Sequence, residues 1–294
     1  MQQISSKKIT PALLRDWPIP LHEGGDKDTR GGILVVAGMR TIPGAAILAA
    51  TAALRAGAGK LQVAAPASVA INIAIDIPEA LVMPFSETAD GAPSLDSIDL
   101  VRKYASDADA VVLGPGMAPN DECSAFVCAL VKAIDTPVVL DASALFACKR
   151  EPKVVAHLEG RAILTPHAAE LASVLDEPRE TIEGNRERYA IETAKRYNAV
   201  VALKGASTYI ADPNGDSFLN ESGHAGLATS GSGDVLAGVV GGLLARGATP
   251  GQSAVWGVAL HAHAGASLGA KIGLGFLARE ILDEIPQQLQ RLSE

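Results

Sequence analysis

From residue 33 onward, short uninterrupted apolar runs alternate with longer helix-like stretches. The runs are Ile33–Ala37, Leu61–Ala65, Ala110–Leu113, Val138–Leu140, Ala162–Leu164 and Val200–Leu203. Each is too short for a helix and has no polar face, as in strands buried on both sides. Between them, Pro43–Ala58, Asp121–Ile134, Ala168–Leu175 and Arg179–Tyr197 read as helices. That alternation predicts crossover units and a mainly parallel sheet.

The pattern changes after Leu203. Thr208–Ala211 and Ser217–Leu219 flank Asp212-Pro-Asn-Gly-Asp216, a turn sequence, and so predict a hairpin. Gly233–Arg246, Gly251–Leu268 and Leu277–Leu289 read as helices. The stretch to about Arg30 carries Pro11, Pro18, Pro20 and Gly24-Gly25, and reads as an arm lying on the domain, with room for a short helix. No linker or internal repeat is visible. The expectation is one α/β domain over residues 1–294, with helices on both faces of the sheet and residues 1–30 as the arm.

Composition narrows the classes. Of 294 residues, 48% are apolar and 20% charged, which is enough for a buried core and argues against disorder. A net charge of −8 without a basic run makes nucleic acid a poor ligand, though a single nucleotide is not excluded. Cys123, Cys128 and Cys148 are odd in number and form no CxxC, so neither a disulfide framework nor a zinc site is expected. Reduced, partly buried thiols in a cytosolic protein are the plain reading. No apolar segment follows Lys7-Lys8 as in a signal peptide. The longest charge-free stretch, Gly247–Ala270, contains Pro250, Gln252, two serines and two histidines, and is rejected as a membrane span. A soluble, cytoplasmic protein is expected.

Ligands of open α/β sheets bind outside the carboxyl ends of the strands. Five runs deliver glycines or polar groups there: Gly38, Gly114-Pro-Gly116, Asp141, Thr165-Pro-His167-Ala-Ala-Glu170 and Lys204-Gly205. The strongest segment is Gly226-Leu-Ala-Thr-Ser-Gly-Ser-Gly-Asp234, running into the apolar Val235–Ala245. Small residues let a ligand approach the backbone, and amides at a helix start favour an anion. Asp234 falls in the first turn, where it can serve as a base toward an alcohol or merely as a cap. No Gly-Lys-Ser/Thr follows, so this is not a Walker motif. Lys204 can meet a phosphate as a point charge or simply face solvent. His261 and His263, two apart on a helix, point to different faces, which suits packing or an interface and not a shared metal. Trp17 and Trp256 read as core or interface.

Five ordered segments carry a resemblance: Pro43-Gly-Ala-Ala46, Gly114-Pro-Gly116, Leu164-Thr-Pro-His-x-x-Glu170, Leu203-Lys-Gly-x-x-Thr208 and Asn220-x-x-Gly-x-x-Gly-Leu-Ala-Thr-x-Gly-x-Gly-Asp234, which ends in Gly231-Ser-Gly-Asp234. The last resembles the anion hole and catalytic Asp of the ribokinase-like superfamily. The set, over nearly the whole chain, is similar to the ADP-dependent NAD(P)H-hydrate dehydratase family. These hydro-lyases phosphorylate the ring hydroxyl of the S epimer of hydrated NADH or NADPH (NADHX, NADPHX). Phosphate then leaves, restoring the cofactor and releasing AMP and phosphate.

The resemblance implies roles for residues of this chain. Asp234 would be the base and would touch the hydrate, with Ala45, Gly116 and His167 lining that site. Lys204, Gly205, Ala206, Ser207, Thr208 and Gly233 would hold the adenine nucleotide (ADP or the AMP product), with ADP or ATP as the phosphoryl donor. The amides of Gly231, Ser232 and Gly233 would form the anion hole, and Glu170 would place Mg²⁺ through water. A homo-oligomer, commonly a tetramer, and a separate epimerase are also implied. Five departures bear on these roles. Ser230 stands where Gly is usual, Ala168-Ala169 where Pro-Gly is usual, Met39 where Ser is common and His224 where Asn is common; Ser232 replaces Thr but keeps the hydroxyl. Two other readings stay open: an ATP-dependent kinase of a vitamin-precursor alcohol within the same superfamily, and a non-catalytic nucleotide sensor.

Overall fold

The computed structural model describes residues 6–20 and 25–294. Gly24 and the first five residues of the expected arm lie outside the described residues. Ten strands form one sheet: β1 Lys7–Lys8, β2 Gly32–Val36, β3 Lys60–Pro66, β4 Ala80–Phe85, β5 Ala110–Leu113, β6 Val138–Leu140, β7 Ala162–Leu164, β8 Val200–Leu203, β9 Thr208–Ala211 and β10 Ser217–Asn220. Their order is β1-β10-β9-β8-β7-β6-β5-β2-β3-β4. All neighbours run parallel except around β9, which is antiparallel to β8 and β10. The expected hairpin and mainly parallel sheet are both present.

The helices are α1 Pro11–Asp16, α2 Pro43–Arg55, α3 Ala70–Asp76, α4 Ile98–Ser106, α5 Asp121–Lys132, α6 Phe146–Arg150, α7 Ala168–Leu175, α8 Arg179–Gly184, α9 Arg186–Tyr197, α10 Ser232–Ala245, α11 Pro250–Ile272 and α12 Ala278–Ser293. They cover both faces. Ile33 and Val35 face α2 and α10–α12, while Leu34 and Val36 face α4–α7 and α9. A continuously apolar strand is what two buried faces demand, and each fully buried Val, Leu or Ile contributes about 1.5–3 kcal/mol.

Several elements differ from expectation. Arg179–Tyr197 is two helices, because Gly184 is followed by Asn185 in a non-helical conformation (φ −139°, ψ 40°). The strand β4 was not foreseen. It is an edge strand, so Leu81 and Pro84 are exposed and break the apolar run. The two-lysine β1 has no hydrophobic signature, yet pairs in parallel with β10. Beyond it, the arm is tied down by backbone carbonyls. Trp256 Nε1 donates to Trp17 O at 2.8 Å, and Arg246 donates to Pro20 O at 2.9 Å. Trp256 is core, and Trp17 stacks on Phe218 at 5.6 Å. All three cysteines are free and buried; burial pushes the Cys148 thiol up to about 12.

The packing that positions the site is between α2 and α10. A Cβ on Gly238 would overlap the Ala49 carbonyl, and one on Gly242 the Ala53 carbonyl. The glycines of α10 therefore let it lie backbone against backbone on the alanine-rich α2. The start of α10 is thereby set beside the first turns of α2. Among the described residues no helix is long and apolar enough to cross a membrane.

Candidate active site

A ladder of backbone hydrogen bonds joins the carboxyl ends of the strands. Gly38 N–H donates to Pro115 O at 2.8 Å, Asp141 N–H to Leu113 O at 3.0 Å, Thr165 N–H to Leu140 O at 3.1 Å and Lys204 N–H to Pro166 O at 2.8 Å. The five polar or glycine-rich strand ends thus form one continuous edge. His167 and Lys204 face each other across an isolated parallel bridge.

The start of α10 opens onto this edge. Gly231 is its N-cap, at φ +87°, a conformation that favours glycine. A Cβ on Gly231 would come 2.5 Å from Leu48 on α2 and 3.9 Å from an Asp234 carboxylate oxygen. Asp234 is not the cap of α10, since no side chain caps that helix. Ser230, flagged as a departure, has no positive φ, so the loop does not need glycine there.

Asp234 sits in an environment that resists its charge. Burial pushes its carboxyl up to about 6, the nearby charges of Asp141 and Glu170 add to this, and Lys204 opposes it. A carboxylate so tuned is a better proton acceptor than a surface aspartate.

Lys204 is no solvent-facing strand end. Its side chain is 17% exposed, and Nζ lies 2.7 Å from Asp141 Oδ1 and 3.9 Å from Glu170 Oε2. Burial opposes its charge, but Asp141 and Glu170 outweigh it and its pKa is raised. It also stands next to the α10 start, where a Cβ on Gly233 would lie 3.5 Å from Nζ. Asp141 is the residue that the roles assigned from sequence left out. It is 2% exposed and accepts a 2.7 Å hydrogen bond from Thr165 Oγ1 as well as that of Lys204. Its one sequence signal was its place at the end of β6. The structure adds another: Ala142, just after it, holds φ +48°, a costly conformation for alanine.

His167 is the N-cap of α7. Its Nδ1 accepts from Glu170 N–H at 3.1 Å, while Glu170 Oε2 accepts from His167 N–H at 2.7 Å. This capping box holds the segment without the usual Pro-Gly, so Ala168-Ala169 does not loosen it. An accepting Nδ1 leaves the proton on Nε2, in a ring that is 53% exposed. Gly116 and Ala45 are neighbours: a Cβ on Gly116, at φ +69°, would come 2.6 Å from that of Ala45. Met39 is buried nearby in sequence, and His224 caps a short turn through Gly226 N–H at 3.1 Å.

Gly205, Ala206 and Ser207 make the turn from β8 into β9, which begins at the buried Thr208. The guanidinium of Arg186, also unforeseen, donates to the Lys204 carbonyl and fills the space a Cβ on Gly205 would need. His261 does pack, but onto the site: Nε2 lies 3.0 Å from both Ser232 Oγ and Ser232 O.

Three carboxylates, Asp141, Glu170 and Asp234, thus gather around one ammonium. Among the described residues no three His, Cys, Asp or Glu side chains converge as direct ligands of a metal. Hard oxygen donors around a surplus of negative charge nonetheless fit a hydrated divalent cation such as Mg²⁺.

A family model described as NAD(P)H-hydrate dehydratase matches residues 33–287. The chain is 43% identical to the ADP-dependent (S)-NAD(P)H-hydrate dehydratase of Xanthomonas campestris, over 97% of each chain. It is 36% identical to the bifunctional NAD(P)H-hydrate repair enzyme Nnr of Moorella thermoacetica, covering all of this chain but only 56% of that one. Its fold superposes, at a TM-score of 0.83 and 32% identity, on the ADP/ATP-dependent NAD(P)H-hydrate dehydratase of Bacillus subtilis co-crystallised with ATP/Mg²⁺, covering 98% of this chain and 99% of that one. The chain belongs to the NAD(P)H-hydrate dehydratase family.

Proposed function

We propose that this chain is a hydro-lyase that dehydrates the S epimer of NADHX and NADPHX at the expense of ADP, yielding NAD(P)H, AMP and phosphate. The observation that carries the reading is Asp234, a half-buried carboxylate pushed up to about 6 at the start of α10 and beside Lys204. Hydroxide is a poor leaving group at neutral pH, so the ring hydroxyl must first become a phosphate ester. Asp234 takes the hydroxyl proton as the oxygen attacks the terminal phosphorus of ADP, and AMP departs. The amides of Gly231 and Gly233 hold the charge on the transferring group, where fixed donors act most strongly, while that of Ser232, expected to join them, is given to the Thr229 carbonyl at 3.3 Å. Phosphate then leaves its ring carbon with the C–O bonding pair, the neighbouring ring carbon gives up a proton to solvent, and the double bond re-forms between them.

Lys204 keeps donors free beyond the one given to Asp141, and meets a nucleotide phosphate with them. Gly205, Ala206, Ser207, Thr208 and Gly233 line the nucleotide. Ala45, Gly116 and the Nε2–H of His167 line the hydrate. Asp141 anchors Lys204. Glu170 would hold Mg²⁺ through water, and the ion would neutralise phosphate charge. ATP serves as an alternative donor. The reading extends to a cytoplasmic homotetramer supplied with the S epimer by a separate epimerase. Exposed Ile71 and Ile75, one turn apart on α3, support self-association and make light scattering its check.

The test is to mix the purified chain with NADHX, Mg²⁺ and either ADP or ATP, and to follow the dihydronicotinamide absorbance. Recovery with stoichiometric AMP from ADP is expected. No recovery with either donor would remove the proposal and leave the kinase or sensor reading.

A further inference from the structure

The helix α11 carries His261 to the back of the loop that opens α10. Its Nε2 lies 3.0 Å from the Ser232 hydroxyl and 3.0 Å from the Ser232 carbonyl oxygen. The ring is buried at the interface of the two helices, and burial is the main cause that takes its pKa down to about 4. It is therefore a neutral imidazole with one N–H at working pH.

The Ser232 carbonyl shares its peptide with the Gly233 N–H. In a planar trans peptide these two groups point in opposite directions. A side chain that holds the carbonyl on the α11 side therefore turns the Gly233 N–H away from it, out of the helix start. A hydrogen bond to that carbonyl also polarises the peptide and strengthens its N–H as a donor. Gly231, with no side chain, cannot fix the loop by itself, and α10 has no side-chain cap. Backbone bonds hold the turn locally, Ser232 N–H to Thr229 O at 3.3 Å and Val235 N–H to Gly231 O at 3.1 Å, and His261 adds a restraint on the Ser232 carbonyl from a neighbouring helix.

We propose that His261 is a positioning residue for phosphoryl transfer, which holds the Ser232–Gly233 peptide so that the Gly233 N–H is aimed at the transferring phosphoryl group. This rests on the dehydratase reading. His261 touches neither substrate and acts through the peptide. His263, two residues on, faces elsewhere and lies near Arg291.

The test compares His261→Leu with His261→Gln, whose amide can still donate to the Ser232 carbonyl. Two readouts are taken: kcat and KM for hydrate repair, and calorimetric affinities for ADP and AMP. AMP lacks the transferring group, so ADP should feel a misdirected Gly233 N–H more than AMP does. For His261→Leu, kcat should fall by about tenfold or more with KM for the hydrate little changed, and ADP affinity should fall by at least about fivefold relative to AMP. His261→Gln should recover most of both. Should the leucine variant not fold, His261→Asn takes its place, being polar but too short to reach Ser232. A role in packing alone would lower the melting temperature and leave the ADP to AMP ratio at its wild-type value, and that result overturns the proposal. Wild-type protein that binds nucleotide with the expected ratio shift but never repairs the hydrate would instead overturn the dehydratase reading.

Discussion

The Lys204 ammonium is held 2.7 Å from the Asp141 carboxylate, at a place where neither group has free access to water. That pair sets the electrostatics of the whole edge. It keeps a cation beside the α10 start, and it leaves Asp141 as a fixed negative charge that works against ionisation of Asp234.

Replacing Asp234 with Asn should lower kcat by roughly three orders of magnitude while nucleotide binding survives, as for loss of a general base. Single-turnover kinetics beside ADP calorimetry will show it. Equal activity of the two proteins would remove Asp234 from the chemistry.

The same residue predicts a stability effect with a definite sign. Its folded-state carboxyl is raised from 3.8 to about 6. Protonated Asp234 therefore stabilises the fold fully below pH 4, and that contribution is lost as pH rises through 6. Asp234→Asn, which never ionises, should be more stable than wild type at pH 8 by up to about 3 kcal/mol. The gap should close near pH 4 in thermal melts.

Activity should show an acid limb near pH 6, because Asp234 must be ionised to accept the proton. Asp141→Asn removes a charge that raises the Asp234 pKa and frees Lys204 to lower it further. The limb should then move to lower pH. A pH–kcat/KM profile of the variant that moves upward, or stays in place, contradicts this coupling.

Lys204→Ala should weaken ADP binding more than hydrate binding. It should also destabilise the protein by about 3–5 kcal/mol, because it strands a buried Asp141 carboxylate. The double variant with Asp141→Asn should regain part of that stability. Unchanged ADP affinity would displace Lys204 from the nucleotide site.

Gly238→Ala should be costly although alanine is the better helix former. Its Cβ would overlap the Ala49 carbonyl, and such overpacking costs about 1–3 kcal/mol. Because the same contact sets the α10 start, kcat should fall together with the melting temperature.

The strands β5 to β9 were legible to the residue. β5 to β8 are buried on both faces, so their hydrophobic runs begin and end with the strand, and β9 was marked by the turn sequence that follows it. The edge strand β4 was hidden because one side of it meets solvent, and β1 because two exposed lysines carry no apolar signal. Of the site, Asp234, Lys204, His167 and the glycine loop stood out as chemistry at strand and helix ends. Asp141 showed only as a strand end without a role, and Arg186 and His261 showed no place in the site, since each reaches its partner from another element of the fold. Arg186 stands 18 residues from Lys204, and His261 29 residues from Ser232.

The order of apolar runs and the residues at their ends determined the fold class, the edge that carries the site and the family. The chain packing alone decided that Lys204 is pinned and not solvated, that Asp234 is hard to ionise, and that a histidine expected only to pack lies against the anion-binding loop. Periodicity and strand-end chemistry are local properties written along the backbone. Desolvation and charge coupling depend on what lies within a few ångströms in space, and only the folded sheet brings those groups together.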